Sequence, residues 1–412
     1  MKIVHINTFD SQGGAARAAF RLHSAMLKSG VDSCMLVLNK TKKQDGRIKT
    51  LSRLQTKFIK PILNEFEKWY CKRLLKNSLR PFSQPVFGNK LTTRQEIKES
   101  DVIYIHWVNE FLTLKNIEQV LQLGKPVYWF LHDMWAVTGG CFHSFDCDNY
   151  TATCGNCPLL IKSSERDISY QLLKKKLSLF SKYKNLHILT PSVWLASCVR
   201  RSTVFSQIAI SVIPNLIDTT LYKPIDRHFA RRLLNLPQDK KIILFGASFG
   251  ANNPFKGWSY LSEALSLLAL EGGEFAVYIF GSDFDNDLAT QIPFPAYFSG
   301  RLNDDYSLVA LYNASDVFVA PSLADNFPYT IVESLSCNTP VVGFDVGGIP
   351  DLIEHKRNGY LAKYKDSQDL AEGIKWVLSD ENSLNLACRK SLKDKCSEAL
   401  VLNKHFGLYG HK

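Results

Sequence analysis

Short apolar runs that alternate with helical stretches, in two separate sets, constrain the fold of these 412 residues more than any other feature. Runs rich in β-branched and aromatic residues predict strands, and alternation with helices is typical of parallel sheets built from βαβ units. The strands predicted in the first half are Lys2–Thr8, Ser33–Asn39, Val102–Trp107, Val127–His132 and His187–Pro191. Those predicted in the second half are Lys241–Ala247, Phe275–Gly281, Ala296–Ser299, Val317–Ala320 and Val341–Phe344. Each set predicts a doubly wound α/β sheet.

A connector separates the two sets. The segment Val212–Pro224, VIPNLIDTTLYKP, is marked as a connector by its prolines and by Asn215. We therefore expect two Rossmann-like domains, residues 1–214 and residues 215–397, with the C-terminal helix 398–412 packing back onto the first. Ligands of doubly wound sheets bind at the carboxyl ends of the strands, so a ligand is expected in a cleft between the two domains.

Composition narrows the class of protein. No stretch approaches the 18 or more apolar residues that a membrane span needs, and the opening MKIVHINTF is typical of a strand rather than a signal peptide. We expect a cytoplasmic protein. Its ten cysteines are then more typical of thiols or metal ligands than of a disulfide framework.

The positive charge is concentrated in one segment. Residues 40–90 contain fourteen Lys or Arg and three acidic residues, a difference that equals the whole formal net charge of +11. Apolar residues recur there at helical spacing, namely Phe58, Ile62, Phe66, Trp69 and Tyr70, and predict a basic amphipathic helix over about 54–80. The commoner interpretation is a domain helix that packs its apolar face inward. The alternative is a helix that binds an anionic membrane surface, peripheral at the inner face of the cell membrane. We expect no nucleic acid, because no recognition signature accompanies the charge.

The segment Asp325–Gly348, DNFPYTIVESLSCNTPVVGFDVGG, is the most informative motif. It follows a predicted strand, continues as a helix around Glu333, and leads through another strand to a Gly pair. Asp325 and Glu333 are eight residues apart, so both carboxylates can face one ligand from its two ends. The loop amides from Asn326 to Thr330 lie at the helix N-terminus. A diphosphate is stabilised at such a position by unpaired N–H groups and by the helix dipole.

This segment resembles the acidic-x7-Glu region of glycosyltransferase family 4. The resemblance extends from the Gly13-Gly14 loop through PSVWLA, PNLID and FKG to the final helices, and is closest to the colanic-acid and exopolysaccharide branch. It implies a GT-B fold and retaining transfer of a sugar from a UDP- or GDP-sugar to a saccharide or lipid-linked saccharide acceptor, in surface polysaccharide biosynthesis. It also implies that Asp325 contacts the donor sugar and Glu333 the ribose hydroxyls, with Asn326, Phe327, Pro328 and Tyr329 in the donor loop. The first acid of the family is usually glutamate, and here it is the shorter aspartate.

A second loop, Phe245–Trp258, contributes a cation. Lys256 stands at a helix start after a small-residue loop, and a positive charge there meets the charge of a departing diphosphate. The family commonly has a Gly-Arg pair upstream, whereas Gly246 is followed here by Ala247 and Ser248. We expect Lys256 and Ser248 to bind the donor, and Lys256 to act in catalysis.

The first half has its own candidates at strand ends. Gly13 and Gly14 follow the opening strand and begin a helix, so their backbone can approach the donor closely. His132 ends the strand VYWFLHD, and the resemblance implies that it lies near the sugar and acceptor, where a neutral imidazole polarises a hydroxyl. His106 ends the strand VIYIH with the same topology.

Four cysteines follow that strand. Cys141, Cys147, Cys154 and Cys157 form C-x5-C-x6-C-x2-C, and the final pair has the spacing of a zinc knuckle. A structural zinc site and free thiols are both compatible with the pattern, and disulfides are disfavoured in a reducing cytosol. In either case the loop is expected to be structural.

No catalytic cofactor is expected. The alternating carboxylates Asp283, Asp285 and Asp287 suit Mg²⁺ chemically, but the resembling family places no metal there. No enzyme nucleophile is evident, so we expect same-face substitution through an oxocarbenium-like state. The alternatives are a nucleotide-sugar epimerase of the same fold, an NAD-dependent dehydrogenase, disfavoured because G-x-G-x-x-G is missing, and a non-enzymatic protein that binds surfaces through the basic segment.

Overall fold

The computed structural model describes residues 1–41, 45–51, 59–76, 82–246, 253–283, 286–302, 304–379 and 381–410. Two compact units make up the chain. The first comprises Met1–Pro214 with Leu408–Lys412, and the second comprises Asn215–Gly407. The final helix is thus grouped with the second unit, and the tail that follows it with the first.

The first unit is built on a seven-stranded parallel sheet. Its strands are β1 Lys2–Phe9, β2 Asp32–Asn39, β3 Ile48–Thr50, β4 Val102–Ile105, β5 Val127–Phe130, β6 Leu186–Thr190 and β7 Ile210–Val212. Their order is β3-β2-β1-β4-β5-β6-β7. The helices are α1 Gly14–Lys28, α2 Lys60–Leu74, α3 Gln95–Glu99, α4 Leu114–Leu121, α5 Ile168–Phe180 and α6 Val193–Arg201.

The second unit has a six-stranded parallel sheet of order β10-β9-β8-β11-β12-β13. Its strands are β8 Lys241–Gly246, β9 Phe275–Phe280, β10 Ala296–Phe298, β11 Val317–Ala320, β12 Val341–Phe344 and β13 Gly359–Ala362. The helices are α7 Arg227–Leu233, α8 Trp258–Leu270, α9 Asn286–Ala289, α10 Asp305–Ala314, α11 Tyr329–Ser336, α12 Ser367–Ser379, α13 Glu381–Cys396 and α14 Glu398–Gly407.

These two sheets confirm the predicted α/β class. The central strands are buried throughout, as in VIYI of β4 and VFVA of β11, because helices cover both faces of a parallel sheet. Polar caps begin several helices: the side chain of Asp167 accepts from the N–H groups of Ser169 and Tyr170 before α5, and that of Asp304 accepts from the N–H of Ser307 at α10. The packed core on both faces holds the carboxyl edge of each sheet in place.

Helix α2 is oriented opposite to the packing that we expected of a domain helix. Its buried residues are Lys60, Asn64 and Glu67, whereas Ile62, Phe66 and Trp69 are exposed. Phe58 lies outside the described residues. The predicted helix exists, but its apolar face does not pack inward.

None of the helices in the described part of the chain is long and apolar enough to cross a lipid bilayer.

Candidate functional site

Two predicted site residues meet in the second unit. The ammonium Nζ of Lys256 lies 3.1 Å from Oδ2 of Asp325. Lys256 ends a short 3₁₀ turn after β8, and Asp325 lies in the loop after β11, so neighbouring strands deliver the two groups to one edge of the sheet. Their side chains are 26% and 21% exposed, which leaves the pair within reach of a ligand.

Two glycines fix this arrangement. Gly257 has a φ of 68°, and a Cβ on it would lie 1.9 Å from the carbonyl oxygen of Pro321. Gly347 has a φ of 60°, and a Cβ on it would lie 2.2 Å from the carbonyl oxygen of Asp325. Only glycine allows both the backbone conformation and the close approach. The Gly pair that follows β12 therefore supports the backbone of Asp325, and the N–H of Gly348 also donates to the same carbonyl oxygen at 3.1 Å.

The loop after Asp325 leads directly into α11. Pro328 precedes the helix, and its carbonyl oxygen accepts from the N–H groups of Ile331 and Val332. Asn326, Phe327 and Tyr329 are buried, and the hydroxyl of Tyr329 donates to the carbonyl oxygen of Leu216 at 3.2 Å. Phe327 and Tyr329 thus hold the loop by packing.

Glu333 lies on α11 and is 1% exposed. The hydroxyl of Tyr312, on α10, donates to its Oε2 at 3.1 Å. Burial and the nearby carboxylate of Glu333 raise the pKa of Tyr312 well above its usual range, so Tyr312 remains a hydrogen-bond donor. The bond from Tyr312 orients this carboxylate, which has about four acceptor sites.

Ser248 lies outside the described residues, as does Asp285 of the acidic cluster.

In the first unit, Gly13 and Gly14 lie between β1 and α1. Both are exposed, and nothing lies within 4 Å of the position that a Cβ would occupy on either. The carbonyl oxygen of Gly13 accepts from the N–H of Arg17 at 3.0 Å. Open space therefore adjoins the backbone at this loop.

His132 is the end of a chain of three imidazoles. Its Nε2 lies 3.2 Å from Nδ1 of His106, and Nε2 of His106 lies 3.0 Å from Nδ1 of His5. His5 lies within β1, whereas His106 follows β4 and His132 follows β5, and these three strands are neighbours in the sheet. Burial lowers the pKa of His132 to about 3, so its imidazole is neutral at physiological pH. In such a chain the tautomer of each ring determines that of the next, because every link needs one donor and one acceptor.

Asp133, the next residue, has a supporting position. Its Oδ2 accepts from the indole N–H of Trp107 and its Oδ1 from the N–H of Trp135, both within 2.9 Å. Burial raises the pKa of Asp133 to about 6. The carboxylate anchors the turn that follows His132.

The four cysteines line one small cavity together with Phe82 and Tyr150. All four are free thiols, and burial raises the pKa of Cys141 to about 11 and that of Cys154 to about 12. Across the described residues, no group of three or more His, Cys, Asp or Glu side chains is arranged to hold a metal ion. The zinc interpretation therefore has no support in the described part of the chain, whereas free thiols are compatible with it.

Sequence reasoning missed two residues that support the predicted ones. Tyr312 orients Glu333, and His5 ends the imidazole chain. A buried tyrosine or histidine in an apolar run was their only signal, and neither type identifies its partner without the order of the strands and helices.

The fold and this site define a class of protein. The two parallel α/β sheets form a GT-B fold, and polar groups are paired at the carboxyl edge. Sucrose-phosphate synthase from Thermosynechococcus elongatus superposes with a TM-score of 0.67 at 18% identity, covering 99% of this chain and 98% of that one. Anabaena Alr3699/HepE in complex with UDP and glucose superposes with a TM-score of 0.63 at 16% identity, covering 99% of both chains. At this identity the likeness concerns the fold.

Residues 240–380, in the second unit, match the family described as Glycosyl transferases group 1. An uncharacterized glycosyltransferase of Methanocaldococcus jannaschii is 35% identical over 156 residues, which are 36% of this chain and 39% of that protein. The matches to the first three curated relatives cover 39–42% of the length of those proteins.

Proposed function

We propose that this protein is a retaining glycosyltransferase that moves a sugar from a nucleotide-diphosphate donor to a saccharide or lipid-linked saccharide. The observation that carries the proposal is the ion pair of Lys256 and Asp325, beside the start of α11, inside the segment that matches group 1 glycosyltransferases. A cation next to a carboxylate suits a ligand that has a diphosphate adjoining a sugar. The proposal assigns acceptor binding to the first unit and nucleotide-sugar binding to the second unit, with Gly13 and Gly14 of the first unit as further donor contacts.

Each residue has a role in this proposal. Lys256 neutralises the leaving diphosphate, whose charge grows as the glycosidic bond breaks. Asp325 accepts a hydrogen bond from a sugar hydroxyl, and Glu333, oriented by Tyr312, accepts from the ribose hydroxyls. The residues Gly13, Gly14, Ser248, Asn326, Phe327, Pro328 and Tyr329 contribute to the donor site through backbone and packing.

His132 acts on the acceptor side. Its neutral imidazole polarises the attacking hydroxyl. The new glycosidic bond forms on the face of the sugar that the diphosphate leaves, the proton of the hydroxyl passes to the departing diphosphate, and no covalent enzyme intermediate forms. The enzyme's contribution is then to position the hydroxyl and stabilise the departing nucleotide. No catalytic metal or cofactor takes part in this scheme.

The donor nucleotide is UDP or GDP, and Anabaena HepE, which shares the fold, was crystallised with UDP and glucose. We place the reaction in surface polysaccharide biosynthesis, at the cytoplasmic side of the cell membrane, following the resemblance to the colanic-acid and exopolysaccharide branch.

Ligand titration tests the proposal. Thermal unfolding with UDP, GDP and their sugars should show one nucleotide that raises the midpoint with concentration, because a ligand that binds only the native state stabilises it. Glu333→Ala should reduce the shift at each nucleotide concentration while unfolding cooperatively. NMR of the glycoside formed with an acceptor should show the donor's anomeric configuration. An inverted product would refute retention, sugar isomerisation without any acceptor would indicate an epimerase, and no response to any nucleotide would refute the donor site.

A further inference from the structure

Helix α2 exposes an apolar stripe to solvent. The exposed fractions are 46% for Ile59, 72% for Ile62, 51% for Phe66 and 47% for Trp69. At about 100° per residue these positions fall within an arc of roughly 80° on one side of the helix. A contiguous apolar stripe of this kind on the surface marks an interaction site rather than scattered exposure.

The opposite side of α2 is anchored by polar contacts. Nζ of Lys60 donates to the carbonyl oxygens of Phe87 at 2.8 Å and Glu110 at 3.0 Å. Glu67 is buried and accepts a short hydrogen bond from the N–H of Val86. These contacts pair the ammonium of Lys60 and one carboxylate oxygen of Glu67 on the inner side, so they fix the helix with its apolar side outward.

The exposed aromatic side chains are held together. The rings of Phe66 and Trp69 are 5.6 Å apart, and Phe66 also contacts Phe87 at 6.1 Å. The guanidinium of Arg73 lies 4.1 Å from the centre of the Trp69 ring. Such contacts reduce the freedom that these side chains would lose on binding a partner.

The charge beside the stripe is positive. Lys68, Lys72 and Arg73 are exposed on the same helix, whereas of its two carboxylates Glu67 is buried and Glu65 is paired with Lys68 at 3.1 Å. Apolar and aromatic residues flanked by Lys and Arg are typical of helices that lie in the interface of an anionic bilayer.

We propose that α2 docks this protein on an anionic lipid bilayer, with Ile62, Phe66 and Trp69 entering the headgroup region and Lys72 and Arg73 contacting lipid phosphates. Charge favours this partner over a second copy of the chain. A symmetric contact would place the same basic residues of two protomers against each other, and like charges at an interface oppose association. The docking surface does not depend on the proposed sugar transfer. It adds only the location at which the protein acts.

Vesicle binding by the full chain tests the proposal. Co-sedimentation is measured with vesicles of phosphatidylcholine alone and with vesicles containing about one quarter phosphatidylglycerol, whose anionic headgroups attract Lys and Arg. We expect binding to the anionic vesicles at least tenfold tighter than to the neutral ones. The variant I62S/F66S/W69S should lose at least tenfold in affinity, and the variant K68Q/K72Q/R73Q should lose the preference for anionic lipid.

Two matched controls remove the same number of groups elsewhere. L233S/L270S/Y306S removes three exposed apolar side chains of the second unit, and R166Q/K174Q/K175Q removes three exposed charges of the first. Both should bind vesicles like the wild type. All variants are first checked for cooperative unfolding and for donor-nucleotide binding, so that loss of vesicle binding is separated from misfolding and from failure of the proposed function.

Three outcomes would overturn the proposal. The first is a wild-type protein that does not bind anionic vesicles. The second is equal loss of binding in the stripe variant and its apolar control. The third is sedimentation equilibrium showing that the wild type is a dimer which I62S/F66S/W69S converts to monomer without changing vesicle binding, since the stripe would then be covered by a second copy.

Discussion

Lys256 and Asp325 form an ion pair 3.1 Å long across 69 residues of sequence, and both side chains remain partly exposed. In the absence of a donor each group therefore compensates the charge of the other. Under the proposed function, a diphosphate beside Lys256 would compete with Asp325 for the ammonium and would release the carboxylate for a sugar hydroxyl. The proposal thus expects each member of the pair to exchange its partner when the donor binds.

The first prediction concerns Lys256. Lys256→Ala should lower kcat by about a hundredfold and donor affinity much less, because the charge that the ammonium meets grows in the transition state. Lys256→Arg, which keeps the charge, should retain most of the rate. Steady-state kinetics with saturating donor measures both variants, and a change confined to KM in Lys256→Ala would contradict the role.

The second prediction concerns Glu333 and its orienting tyrosine. Glu333→Ala should weaken nucleotide binding by about 1.5–3 kcal/mol, the range for hydrogen bonds to a charged group. Tyr312→Phe should weaken it less, because the carboxylate stays but loses the bond that fixes it. Calorimetric titration with the nucleotide compares the two, and unchanged affinity in a folded Glu333→Ala would rule out the ribose contact.

A feature of the fold or of the site could be predicted from the sequence when it depends on one segment of the chain. It could not be predicted when it depends on contacts with a neighbouring strand or helix. The α/β class and the helix around Glu333 follow from local patterns, because apolar runs and turn residues report burial along one segment. The strands β3, β7 and β13 were missed, and two of them have only three residues. A run of three residues is too short for a hydrophobic period to be detected.

The orientation of helix α2 and the pairing of the histidines were harder to predict from the sequence. The apolar residues of α2 predicted a helix, but not that Lys60 and Glu67 would find polar partners inside and turn Ile62 and Phe66 outward. Likewise the contact between His106 and His5 depends on β1 and β4 being neighbours, and strand order is a property of the whole sheet. Tertiary partners, rather than local propensity, decided both.

The third prediction tests the imidazole chain. His106→Phe should preserve the stacking with His132 but remove the hydrogen bond to its Nε2. His132 can then adopt either tautomer, so kcat should fall about tenfold and the pH dependence of kcat should shift, while donor affinity is unchanged. His106→Gln, which keeps a polar partner, should restore part of the rate. Equal pH profiles in His106→Phe and the wild type would limit His106 to packing.

The fourth prediction concerns acid stability. His23 and His405 are fully buried, and burial lowers their pKa values to about 4 and about 3. Because the unfolded imidazoles titrate near 6.5, the unfolded state binds these protons first, and the native state loses about 1.4 kcal/mol per histidine for each pH unit below 6.5. Asp133, whose pKa is raised to about 6, acts in the opposite direction below that pH.

Thermal unfolding between pH 7.5 and 5 measures this loss. The melting temperature of the wild type should fall as the pH decreases. The melting temperature of His23→Gln should fall less steeply, because glutamine keeps a hydrogen-bonding partner for Ser33 but does not titrate. An identical slope in the variant would show that His23 is not among the groups that destabilise the protein in acid.

The last prediction concerns the thiols after β5. Burial raises the pKa values of Cys141 and Cys154, so at pH 8 both are protonated and react slowly with alkylating reagents. Native protein should therefore label at these two positions at least tenfold more slowly than urea-unfolded protein, as mass spectrometry of the peptides would report. Cys154→Ala should speed labelling of Cys141, because the two line the same cavity. Chelator should leave the native rates unchanged if burial protects the thiols. A rate that rises with chelator would mean that a bound metal protects them, and would return the loop to the zinc interpretation.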